Sequence, residues 1–349
     1  MLGASTVIQL ELDPPLDMKA LKNFAISTFD RSTIKHLPPS LERLEISYSR
    51  ALQRFVLPNN FNISRVTIIK THLSWVELQR NDAIQMLSIV LSKLQHVPST
   101  LKNLKNLTNI KLQQSFIHQL NLDLLQWFPG LLSLELMQNR IRTIKSTLNG
   151  GQQRKLESLN LRHNQLRIIN LEVLSPLGWF KYVDLSHNKI ELLVGRFSSD
   201  RLVAIILSHN RLKALDFCQW KPIPSLHSIS LDTNELTRVP NCMHHLSNLS
   251  YICFSNNKLA IVNMDVFGEM DNLTNLDLTG NHISSITFRE EKYPKRLKEL
   301  NLSENKIECN NPHEMPFCPL DIEFQPSSPD SAWKRNNNTL QRQLTITTG

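Results

Sequence analysis

Few side chains in this 349-residue chain are placed for chemistry. His163, His187 and His209 each stand immediately before an Asn, in three look-alike stretches. Stacked side by side, such a trio could bind a metal or respond to pH, because protonating one imidazole raises repulsion on the next. The stretch "CMHHL" brings Cys242, His244 and His245 together, with Cys218 upstream, and so offers the sulfur and nitrogen donors that zinc accepts. Its spacing fits no compact zinc finger, and adjacent histidines point apart, so no metal is assigned to either set. No G-x-S-x-G, H-E-x-x-H or phosphate loop occurs, and only 9 glycines are present. The reading is a non-enzyme without a cofactor.

The elements that position these residues are repeats. Slot 1 of each unit is Leu41, Ile63, Ile84, Leu107, Leu131, Leu156, Phe180, Leu202, Leu226, Leu249, Leu273 or Leu297, a period of 21 to 25 residues. Apolar residues return at slots 4, 6 and usually 11, as in Leu131, Leu134, Leu136 and Ile141. Slots 3 to 7 alternate like a strand, with 4 and 6 on one side and 3, 5 and 7 on the other. One unit cannot cover its own leucines, but stacked units bury them against each other. Asn139, Asn164, Asn188, Asn210, Asn234, Asn257, Asn281 and Asn305 fill slot 9, where the chain leaves the strand. A carboxamide both donates and accepts, so a column of them can satisfy backbone groups stripped of ladder partners. Ser49, Thr71, Ser92 and Ser115 take that slot in the first four units, where hydroxyls do part of the same work.

The L-x-x-L-x-L-x-x-N-x-L pattern resembles that of leucine-rich repeat proteins. The resemblance implies an α/β repeat solenoid: a curved horseshoe with a parallel sheet on its concave face and an irregular, short-helical convex side. The expected organisation is residues 1–40 as irregular N-terminal repeats with an incomplete cap, 41–307 as about twelve units, 308–330 as a cysteine-containing cap, and 331–349 as a polar flexible tail. Upstream, Leu21, Phe24 and Ile26 predict a further unit, and Val7, Leu10 and Leu12 an earlier strand. With no capping segment ahead of them, the natural start is expected upstream of Met1, and no signal peptide is visible.

Of five cysteines, Cys309 and Cys318 lie in the cap and are read as a disulfide. Cys218 and Cys242 share slot 17 of adjacent units, which allows a bridge if their Cα atoms approach within roughly 7 Å. Cys253 is left over, and is open to a disulfide-linked or non-covalent oligomer. Two such pairs favour an oxidising compartment. The glycosylation candidates are Asn62, Asn106, Asn248 and Asn272; Asn301 at slot 5 would plant a glycan on the concave face and is set aside.

The net charge of +8 would permit nucleic acid, but the 39 basic residues are scattered in sequence, as on a solvated surface, so no nucleic-acid partner is expected. No apolar run reaches a membrane span. Acidic Glu135, Asp184, Asp232 and Asp277 mix on the concave side with Lys111, Arg162 and Lys181, a recognition pattern more than a catalytic one. Partner contact is therefore expected through Glu135, Met137, Gln138, Asn160, Arg162, His163, Tyr182, Asp184, His187, Ile206 and His209, with Tyr182 and Ile206 as anchors.

"VDLSHNKIELL", "LDLTGNHISSI" and the outer-face "DVFGEMDNL" resemble the typical extracellular class of animal leucine-rich repeats. The Cys218/Cys242 pair and the "NKIEC" exit are similar to secreted leucine-rich immune proteins of mosquitoes, although no coiled-coil heptads follow. The resemblance implies a secreted, glycosylated, protein-binding scaffold in innate immune recognition. Two rivals are an ectodomain fragment of a receptor or adhesion protein, and a cytosolic regulatory subunit that docks an enzyme.

Overall fold

The computed structural model describes residues 7–11, 28–30, 41–59, 61–148, 155–177, 180–287, 289–307 and 345–347. The chain forms two compact units, Met1–Arg167 and Ile168–Gly349, divided inside the coil that starts at Leu156. Each is a solenoid of parallel coils.

All twelve slot-1 residues are followed by a strand that starts two residues on. In the first unit, Arg43–Ser47, Arg65–Ile69, Met86–Val90, Asn109–Gln113, Ser133–Glu135 and Ser158–Asn160 pair in parallel. Their register stacks slot 4 on slot 4, so Leu44, Val66, Leu87, Ile110, Leu134 and Leu159 form one buried column. The second unit does the same with Tyr182–Asp184, Ala204–Ile206, Ser228–Ser230, Tyr251–Cys253, Asn275–Asp277 and Glu299–Asn301. Slots 13 to 15 build short second ladders, such as Gln119–Asn121 with Thr143–Lys145 and Ile168–Asn170 with Leu192–Val194. The returning side carries 3₁₀ turns of three to six residues, among them Leu122–Trp127 and Met264–Phe267.

Val7–Glu11 lies directly beside Arg43–Ser47, in register from Val7↔Arg43 to Glu11↔Ser47. The segment with Leu21, Phe24 and Ile26, read as a further unit, lies outside the described residues. Thr28–Phe29 joins the second ladder, against Arg54–Leu57. In the segment read as a loose tail, Thr345–Thr347 is a strand parallel to Glu299–Asn301. The cap with Cys309 and Cys318 lies outside the described residues.

In seven coils the Asn at slot 9 ties the coil to its predecessor. Asn234 Nδ2 donates to Leu231 O of its own coil and to Leu207 O of the coil before, both at 3.0 Å, and its Oδ1 accepts from Leu212 N at 3.0 Å. Asn139, Asn164, Asn210, Asn257, Asn281 and Asn305 repeat the set at their own coils. The early hydroxyls reach less far: Ser49 and Thr71 accept only from N–H groups of their own coil, and Ser115 bonds Gln113 O and Ser92 Oγ. Asn234→Ala orphans three buried backbone contacts, at about 1–3 kcal/mol each where nothing replaces them. Urea denaturation of Asn234→Ala is therefore expected to show a loss on the order of 3 kcal/mol, and of Ser115→Ala about 1 kcal/mol.

Candidate functional site

Slots 3, 5, 7 and 8 face away from the leucine core, and the fold treats each differently. Slot 8 is left-handed in all twelve coils. Tyr48, Lys70, Leu91, Gln114, Gln138, His163, His187, His209, Thr233, Asn256 and Glu304 have φ between 51° and 58°, and Gly280 has 65°. This reversal swings the chain from strand to slot 9, at a cost of roughly 1–2 kcal/mol per non-glycine residue.

Slot 5 closes the strand exit. Asp184 Oδ1 accepts from Ser186 N at 2.9 Å and Ser186 Oγ at 2.6 Å. Asp277 does so with Thr279, Asn301 with Ser303, and Asn160 accepts from Arg162 N. Asp184 and Asn160, expected as contact groups, are thus engaged by their own coils. Cys253 shares the slot and the habit, with its Sγ 3.2 Å from Ser255 Oγ. The residue is 6% exposed, and burial pushes its thiol up. Burial, and then the neighbouring Cys253, also push Tyr251 up.

What stays open divides between the units. In the first, Glu135 is held by Gln113 Nε2 at 2.7 Å and Lys111 Nζ at 3.8 Å, Met137 and Arg162 are half-buried, and Gln138 and His163 are exposed. In the second, Tyr182 is 53% exposed at slot 3, while Ile206 is half-buried and so a weaker anchor than expected. His187 and His209 stack with ring centroids 4.1 Å apart, and His209 Nε2 lies 3.9 Å from Asp232 Oδ2. Tyr251, 40% exposed at slot 3, was missed by confining the choice to the middle coils.

Slot 17 carries a second coil-to-coil link. Asp123 accepts from Thr147 N and Oγ1, Glu172 from Arg196 N, and Asp265 from Arg289 N and Nε. At the equivalent junction Cys218 and Cys242 form a disulfide, with Cα atoms 5.1 Å apart. Asp216 beside them completes the one metal-capable group among the described residues, but both sulfurs are in the bond. His245 Nδ1 meets Phe217 O at 3.1 Å.

The recurrent N-L-S/T triplet also has a structural origin. Asn106 and Asn248 donate to Asp82 O and Pro224 O of the preceding coil, each at 2.7 Å, and Asn272 donates to Asn248 Oδ1. The hydroxyls of Ser64, Thr108, Ser250 and Thr274 donate to carbonyls of the preceding coil as well, so both polar members of the triplet serve the stack.

Known proteins match this architecture. A profile of the leucine rich repeat family fits residues 129–190 and 224–283. Tsukushi of Gallus gallus is 34% identical over 192 residues, 53% of this chain and 49% of the relative. The chain spans about half the length of the curated relatives it matches. A Leptospira interrogans leucine-rich repeat protein superposes with a TM-score of 0.51 at 18% identity, over 86% of this chain and 93% of the other. The LRIM1/APL1C complex gives 0.55 at 18% identity, over 80% of this chain and 47% of that chain. These two likenesses show the fold.

Two predictions follow from the slots. Thr233 is β-branched and left-handed, so Thr233→Gly is expected to raise stability by about 1 kcal/mol and Thr233→Val to give no gain, read by thermal denaturation. The backbone hydrogen bond from Arg289, then its side chain, hold the Asp265 carboxyl below its ordinary value of 3.8. A depressed folded pKa stabilises above the unfolded value and loses that stability as pH falls through the folded one. Wild type and Asp265→Asn should therefore differ at neutral pH and converge in acid, below about pH 4.

Proposed function

We propose that this chain, a solenoid with leucine-rich repeats, is a non-enzymatic recognition scaffold that docks a protein on the exposed side of its sheet. The observation that carries the reading is the exposure of Tyr182 and Tyr251. Both stand at slot 3 of the second unit, and neither ring is needed by the core. Half-exposed aromatic side chains on a rigid strand supply large contact area at little entropic cost, which is why they dominate interface energetics. Around them the sheet offers fixed polar groups, His209 with Asp232 among them, suited to a polar rim.

The setting proposed is extracellular, in innate immune recognition. The Cys218–Cys242 disulfide supports an oxidising compartment and counts against the cytosolic regulatory subunit. The immune role rests on the likeness of that pair and of "NKIEC" to the secreted immune class. Among the described residues no helix is long and apolar enough to cross a membrane.

Site-specific photo-crosslinking tests the docking face. A crosslinker at Tyr182 or Tyr251, in extracellular fluid from the native source, is expected to capture a defined partner, whereas one at Asp200 on the returning side is not. Tyr182→Ala and Tyr251→Ala should each weaken the captured complex about tenfold or more, with unchanged circular dichroism. Equal capture from both sides would sink the assignment.

A further inference from the structure

The first unit holds a cleft on a different surface, along slots 10, 12 and 13 of the coils that start at Ile84, Leu107 and Leu131. Its volume is about 790 Å³, within the usual range for small ligands. Arg140 stacks on Phe116, its Cζ 4.2 Å from the ring centroid, and Arg142 is oriented by Nε donating to Gln165 Oε1 at 3.2 Å. Among the described residues neither guanidinium is paired with a carboxylate. These slots of the three coils contain no acidic residue. Asp123, at slot 17 of the middle coil, already has its carboxylate taken by Thr147. Two pre-oriented guanidiniums facing an acid-free cleft form a receptor for an oxyanion. The same wall presents the amides of Gln95 and Gln119 and the hydroxyl of Thr143, which can both donate to and accept from hydroxyl groups.

We propose that this cleft binds an acidic saccharide, a sugar bearing a carboxylate or sulfate group. The arginines would take the anionic group and the amides the ring hydroxyls. Two features disfavour other polyanions. Of the two rings lining the cleft, Phe116 is covered by Arg140 and His118 packs edge-on with His96 at 4.5 Å, which leaves little platform for stacking bases. Phe116, Arg140 and Arg142 spend their backbone N–H groups on Leu94 O, Ile117 O and His118 O, so these donors are not available to an added peptide strand.

Calorimetry on the full chain is the test. The probes are a heparin-derived hexasaccharide, a hyaluronan hexasaccharide, maltohexaose, a glutamate hexapeptide and single-stranded DNA. At least one acidic hexasaccharide is expected to bind, maltohexaose is not, and Arg140→Ala/Arg142→Ala should weaken Kd tenfold or more. Arg211→Ala/Lys213→Ala, in the same slots of a second-unit coil, should leave it unchanged. If the arginine variant does not fold, Gln95→Ala/Gln119→Ala is the substitute, with a loss of threefold or more expected. Absence of binding by both acidic saccharides, equal loss in the two basic variants, or DNA or the glutamate peptide bound as tightly through Arg140 and Arg142 would each overturn the proposal. Sulfate-only binding and carboxylate-only binding both support it and identify the group recognised.

Discussion

A strand that ends inside a stack strands its last carbonyls and the next N–H groups away from water, and the rest of this structure depends on how they are satisfied. From Asn139 onward one carboxamide does it by bridging two coils. The donor half takes two slot-6 carbonyls and the acceptor half takes a slot-11 N–H. This fixes the stagger between coils, stacks the leucines in register, and leaves slots 3, 5, 7 and 8 on the opposite side. Leucine burial supplies the driving force but is non-directional. The amide supplies the geometry.

Most of this was readable from spacing alone, because the leucines and slot 9 repeat by residue type. What escaped the sequence repeats by backbone angle or by relation. The left-handed slot 8 is occupied by eleven non-glycine residues of very different chemistry, and only Gly280 and Asn256 hint at its torsion. At slot 17 only the Cys218 link was legible. The carboxylates of Asp123, Glu172 and Asp265 escaped because their partners Thr147, Arg196 and Arg289 follow no common pattern, and the bonds end on backbone N–H groups that the sequence does not mark. The neighbour of Arg43–Ser47 was also not legible, since spacing alone does not say that Val7–Glu11 pairs with it directly.

The docking face was legible as a face and less so as a set of residues. Alternation identified its side chains, but alternation does not distinguish a carboxylate that awaits a partner from one, such as Asp184, already bonded to Ser186. Burial of Cys253 was likewise invisible, since slot 5 is nominally outward and only the neighbouring Ser255, Asp277 and Tyr251 show how it is covered. The basic cleft reverses the lesson: Gln95, His118, Arg140 and Arg142 look scattered along the chain, and a period near 24 residues gathers them.

The Cys218–Cys242 bond spans a single junction between neighbouring coils of the second unit. Linear arrays unravel from their ends, one neighbour at a time. A covalent strut across one joint makes those two coils separate together or not at all, so a fraying front that arrives from the chain's far end meets a fixed stop there. Amide exchange should accordingly show the coils starting at Leu202 and Leu226 opening as one block under oxidising conditions, and as two once a reductant has cut the strut.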